Sequence, residues 1–178
     1  MSQSWFSKED EITDFYDVFE QGDIFFDVPM HLLGIKEKTS LDTIQNNKIG
    51  FKRYDYDVIL LTQTCDLEND KVVTIIFCPI RKLSDILKPI PTERHNDYFN
   101  ALKNGTIHRF HLLNKISDTK YAEDFPVVDF GAIFSYPIGF LNKISPLKAR
   151  QLNSPYREHL SQSFAKFFMR VGLPTPID

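Results

Sequence analysis

The apolar positions of this chain fall mostly into short β-branched or aromatic runs bounded by polar turns, which is the pattern of strands, and only the last element carries a long helical stripe. The sharpest change of pattern lies in Tyr56-Asp57-Val58-Ile59-Leu60-Leu61-Thr62-Gln63-Thr64-Cys65-Asp66-Leu67. Val58 to Leu61 predicts a strand buried on both faces, and Thr62 to Asp66 then stand at the rim of a sheet. Rims of this kind favour sites, because the strand fixes the backbone while the loop exposes polar groups. The turn at Glu68-Asn69-Asp70 and the run from Lys71 to Ile80 supply a hairpin partner for residues 51–64.

Around this hairpin the pattern predicts the remaining elements. Ser7 as N-cap, acids at Glu9 and Asp10, and Ile12, Phe15, Val18 and Phe19 on one face give a first helix ending at Gln21-Gly22. Asp23 to Pro29 reads as the first strand, and the polar, aperiodic residues 37–48 as a loop. Residues 84–105 form an inserted helical segment, broken by Pro89 and Pro91, recapped by Thr92 and ended by Asn104-Gly105. Strands follow at 107–113 and 127–136, with Asp118-Thr119-Lys120 as the turn between them. Ser154 as N-cap and Pro155 at the first helical position open a final helix over 154–171, striped by Tyr156, Leu160, Phe164, Phe167 and Val171 and stopped by Gly172 and Pro174. The sum is one α+β domain over 1–178: a small curled antiparallel sheet, inserted short helices and a C-terminal amphipathic helix.

Composition supports a single folded unit, since 178 residues, 42% hydrophobic and including 16 phenylalanines, suffice for one aromatic core. With 21 basic against 24 acidic residues the net charge of −3 provides no global attraction to phosphate, so any nucleic-acid contact has to be local. No apolar run approaches the roughly 20 residues that span a bilayer, and Met1-Ser2-Gln3-Ser4-Trp5 does not open a secretory signal; a cytoplasmic protein without membrane contact is expected. In that compartment Cys65 and Cys78 are expected to stay reduced.

Gly22-Asp23-Ile24, then Val58-Ile59-Leu60-Leu61-Thr62, then Ile75-Ile76-Phe77-Cys78-Pro79-Ile80, then Val127-Val128-Asp129-Phe130 and a terminal helix together resemble the MazF/PemK family of toxin ribonucleases. The resemblance implies an SH3-like barrel, a toxin–antitoxin or phage-defence setting, and binding of RNA or its cleavage by a metal-independent endoribonuclease that needs no cofactor. In that family an arginine before the central strand and a hydroxyl after the Pro-Ile step act in cleavage. Arg53 matches the first, whereas the second place reads Arg81-Lys82-Leu83-Ser84. The implied catalytic set is therefore Arg53 on phosphate, Thr62 and Thr64 as hydroxyls and Arg81 for developing charge, with Gln63, Cys65 and Asp66 binding beside them.

A reading from another class is a non-enzymatic interaction module. On the final helix His159, Lys166 and Arg170 share one flank, while Phe168 and Met169 fall beyond the stripe and need a cover, either a partner protein or a second copy. The remaining chemistry has bland explanations. Cys65 beside Asp66 is held as a thiol rather than a nucleophile. His108 and His111, three apart on a strand, face opposite sides and do not converge on a metal. Asp55, Asp57, Asp66, Glu68 and Asp70 read first as solvated turn and edge charges, with a divalent-cation site of a metal-dependent hydrolase as the third reading, and no metal ligand is assigned.

Overall fold

A computed structural model describes residues 4–33, 42, 50–69 and 71–169. The expected 37–48 loop and the Gly172-Pro174 stop lie outside these residues, Asp42 apart. Among the described residues eight antiparallel strands make one sheet: β1 (Phe6–Ser7), β2 (Asp23–Leu33), β3 (Phe51–Leu60), β4 (Thr74–Lys82), β5 (Phe110–Leu112), β6 (Pro126–Asp129), β7 (Phe134–Pro137) and β8 (Lys148–Leu152). They run in the order β1-β8-β2-β3-β4-β6-β5, with β7 on the first half of β4. Among the helices of the described residues are α1 (Thr64–Glu68), α2 (Leu83–Leu87), α3 (His95–Lys103), α4 (Phe140–Ile144) and α5 (Tyr156–Phe168). The architecture is α+β with a curled antiparallel sheet and a C-terminal helix, and the strands do not close into a barrel: β1 and β5 are its two ends.

The sheet is buried on both faces at its centre, as the apolar run Val58 to Leu61 requires. Ile59 packs with Ile24, Cys78, Val128 and Leu160 on one side, and Val58 and Leu60 pack with Phe25, Phe77, Leu141 and Ile144 on the other. Gly22 lets β2 enter between its neighbours. Its φ is +92°, its N–H donates to the Leu60 carbonyl at 2.8 Å, and a Cβ there would lie 2.9 Å from Leu152 Cβ. Past the irregularity between Phe25 and Val28, β2 and the first half of β3 continue as a two-stranded ribbon that no third strand among the described residues joins.

Several elements differ from the pattern-based reading, each for a tertiary reason. The first helix is reduced to a 3-10 turn at Glu9–Glu11, because Phe6–Ser7 is drawn into the sheet against Leu152 and Gln151, and the Ser7 hydroxyl donates to Asn153 Oδ1 at 2.7 Å instead of capping. The rim after Leu61 is not loop throughout: Thr64 to Asp66 open the short helix α1, which runs into the expected turn at Glu68. The strand over 127–136 is two, broken at Gly131. In the last helix Pro155 takes the N-cap place, and the Asn153 carbonyl accepts from Tyr156 and Arg157 N–H at 2.9 and 3.1 Å, so Ser154 is not the cap. Strand β8 is not foreseen by the pattern because Lys148 and Gln151 are polar, yet both are buried.

The inserted segment has its own small core of Leu83, Ile86, Leu102 and Val127, with Phe99 and Phe125 in ring contact at 5.3 Å. It therefore packs against the β5–β6 end of the sheet rather than standing free. Together with α5 on the adjoining face, it encloses a cleft.

Candidate functional site

Three segments surround a cavity of about 650 Å³: the end of α3 with the turn that follows, strand β5, and the outer flank of α5. Strand alternation explains why β5 contributes as it does. His111 pairs with Val128, whose face of the sheet lies under α5, so its ring is carried beneath the helix and onto Phe130, centroid to centroid 6.2 Å. From α5 come His159, Ser163 and Lys166, spaced four and three apart on one face. Trp5 closes one side, held by its stack on Tyr156 at 3.8 Å and by its carbonyl, which accepts from Asn153 N–H at 2.9 Å.

The chemistry of this lining is uneven in a useful way. Three histidines (His108, His111, His159), two lysines (Lys103, Lys166) and four aromatic rings (Trp5, Phe99, Phe110, Phe125) line it, and no aspartate or glutamate does. The lysines, His108 and His159 are exposed, whereas His111 is partly buried and its Nε2 is closed to solvent with no hydrogen-bond partner. Burial, aided by the neighbouring His159, pushes the His111 imidazole down to about 4, so it is neutral at neutral pH.

The expectation that His108 and His111 face opposite sides is corrected. His108 precedes β5 in a turn, alternation does not apply to it, and both line the same cleft. Among the described residues no group of three or more His, Cys, Asp or Glu side chains is placed to hold a metal ion.

The residues named from the family resemblance are dispersed. Arg53 lies on the exposed ribbon opposite His31 and is engaged by Asp55 Oδ1, at 3.1 Å from Nε and 2.9 Å from a terminal nitrogen. Arg81 follows Ile80, which pairs with Asp57, so alternation sets Arg81 and Arg53 on opposite faces. Arg81 instead approaches Asp129 at 3.8 Å. The Thr62–Asp66 rim is at the other end of β3, roughly 30 Å along the strand from Arg53. Thr62 is buried with its hydroxyl oxygen accepting from Ile76 N–H at 2.8 Å, and Thr64 Oγ1 accepts from Gln21 N–H at 3.1 Å. Gln63 Oε1 and Asp66 Oδ1 lie 3.7 and 3.8 Å from the exposed Cys65 Sγ, and the rim shares a shallow depression with Arg157 and Ser161 of α5. His159 and Lys166 line the cleft, Phe168 and Met169 are 55% and 78% exposed, and Arg170 lies outside the described residues.

Sequence reasoning missed Arg109 and Asp129. The Asp129 carboxylate, 3% exposed, accepts from Arg109 Nε at 2.8 Å and a second guanidinium nitrogen at 3.0 Å, and also from Gly131 N–H at 3.0 Å. A Cβ on residue 131 would come within 2.7 Å of Arg109 Nε, so glycine makes room for the fork. This pair ties the turn before β5 to the end of β6 and thereby fixes the cleft's inner wall.

Among the described residues no helix is long and apolar enough to cross a membrane. The chain matches no family model, no curated protein and no solved structure.

Proposed function

We propose that the protein binds single-stranded RNA in the cleft between α3, β5 and α5. The lining carries this reading: in a chain of net charge −3, the cleft gathers two lysines and three histidines around four aromatic rings without a single carboxylate. Single-stranded RNA asks for that combination, with cations for its phosphates and ring faces for unstacked bases. A cavity of about 650 Å³ is of the size that holds a small ligand, and here it suits a nucleotide or two of a longer strand. Binding is favoured over a MazF/PemK type of cleavage, because Arg53, Arg81 and the Thr62–Asp66 rim do not share a surface.

The test is fluorescence anisotropy with a single-stranded RNA of about ten nucleotides. Replacing Lys103 and Lys166 together by alanine lowers affinity at low salt and flattens the dependence of log K on log salt by about 0.7 for each phosphate that is no longer neutralised. Absence of binding at low salt, or indifference to the double substitution, overturns the proposal. The exposure of Phe168 and Met169 favours a second reading, an interface with another chain at the end of α5. There, Phe168→Ser with Met169→Ser converts an oligomer to monomer in light scattering; a mass already monomeric and unchanged argues against a second copy as the cover.

A further inference from the structure

Within the cleft, charge is graded from outside to inside. Lys103, Lys166 and His159 are exposed, and the one imidazole carried inward, that of His111, keeps a ring nitrogen with no partner and no solvent. A phosphate oxygen is only an acceptor and draws a cation. On His111 it would meet at most one N–H of a neutral imidazole and no countercharge, since burial and the neighbouring His159 disfavour the charged ring. The exposed lysines offer charge without that cost. What suits His111 is an uncharged edge that carries donors and acceptors, and the apolar walls of Phe110, Leu113 and Phe125 suit a flat ring.

Resting on the RNA reading above, we propose that the cleft takes a nucleobase inward, its polar edge on His111 Nε2, and leaves the adjoining phosphates to Lys103 and Lys166. The imidazole turns about χ2 on the Phe130 face to present Nε2, which exchanges an unsatisfied nitrogen for a hydrogen bond. His111 is then the residue that distinguishes a base from a bare sugar–phosphate chain, and the lysines are indifferent to that distinction.

Two single-stranded probes of about ten nucleotides test this, one with bases and one an abasic ribose–phosphate chain of equal length, each titrated against the full chain. The wild type prefers the base-bearing strand. His111→Phe, which keeps a ring on Phe130, reduces that strand's affinity about tenfold, the size of one hydrogen bond, and leaves the abasic strand unchanged. His111→Gln, which restores a polar group, recovers part of the preference. Replacing both lysines weakens the two strands alike. Equal losses on both strands in His111→Phe, or no loss on either, overturn the assignment of His111 while lysine-dependent binding keeps the RNA reading. If neither strand binds the wild type, both proposals fall.

Discussion

The Asp23 carboxylate and the His111 Nε2 are both shut off from water, but the first is surrounded by partners and the second has none. Asp23 receives Lys148 Nζ at 2.8 Å, Gln151 Nε2 at 3.2 Å and the Glu20 N–H at 2.8 Å, and Lys148 also donates to the Val18 carbonyl at 2.8 Å above the Phe15 ring. Arg157 of α5 joins through Glu20, which Gln151 also reaches at 2.9 Å. The whole network is spent on holding β8 against β2 and the helix against both. At His111 the opposite holds, since the strand delivers a polar ring to a cavity wall and nothing in the described residues completes it. A buried polar group with a full set of partners explains a fold, and one left open points to what the fold binds.

The largest effect that would break this contrast is at Lys148. Lys148→Met strips the countercharge from a carboxylate with no solvent access and is expected to cost about 3–5 kcal/mol in a denaturant melt. A cost below about 1 kcal/mol would mean that the network is dispensable.

Acidity separates the two regions next. Burial raises Asp23 from 3.8 to about 6 against the pull of Lys148, so the stability it lends is complete below pH 4 and lost as pH rises through 6. His111 runs the other way: lowered from 6.5 to about 4, it lends stability that is present above pH 6.5 and lost as pH falls through 4. Over that window the two oppose each other. Relative to wild type, His111→Phe therefore gains about 3 kcal/mol between pH 7 and pH 4, and Asp23→Asn loses the opposing acid-side gain. Parallel stability–pH curves for wild type and His111→Phe would contradict the burial of that ring.

At neutral pH the same His111→Phe change is expected to leave stability level or raise it by about 1–3 kcal/mol, since it removes a desolvated nitrogen and no bond. Thermal unfolding reads this directly, and a clear loss would show that His111 has a structural partner. Smallest is Arg81→Ala, expected to cost under about 1 kcal/mol, because its approach to Asp129 is long and half exposed and Arg109 stays in place.

How far the sequence made these regions visible follows from the same physics. Apolar periodicity located the central strand, its hairpin partner, the inserted segment and α5, because Val58, Ile59, Phe77 and Leu160 are buried by the alternation or stripe they display. It failed at β8, where Lys148 and Gln151 are inside only because Asp23 is there to receive them. His159 and Lys166 stood out as a basic flank of one helix and do line the cleft. His108 and His111 did not, since the turn that brings them together is set by Arg109 on Asp129, a pairing 20 residues apart that no local pattern announces. The barrel implied by the family resemblance likewise depends on whether the end strands meet, and β1 and β5 do not.

The central claim, that RNA enters the cleft beneath α5, is tested most directly at the atom left without a partner. With imidazole nitrogens labelled, the His111 Nε2 resonance is followed as a single-stranded RNA of about ten nucleotides is added. The account predicts a saturable shift at His111 on the same binding curve as the resonances of Lys103 and Lys166, with the Arg53 ribbon and the Thr62–Asp66 rim unmoved. Saturation of the RNA with His111 unchanged, or with shifts confined to the ribbon or the rim, contradicts it.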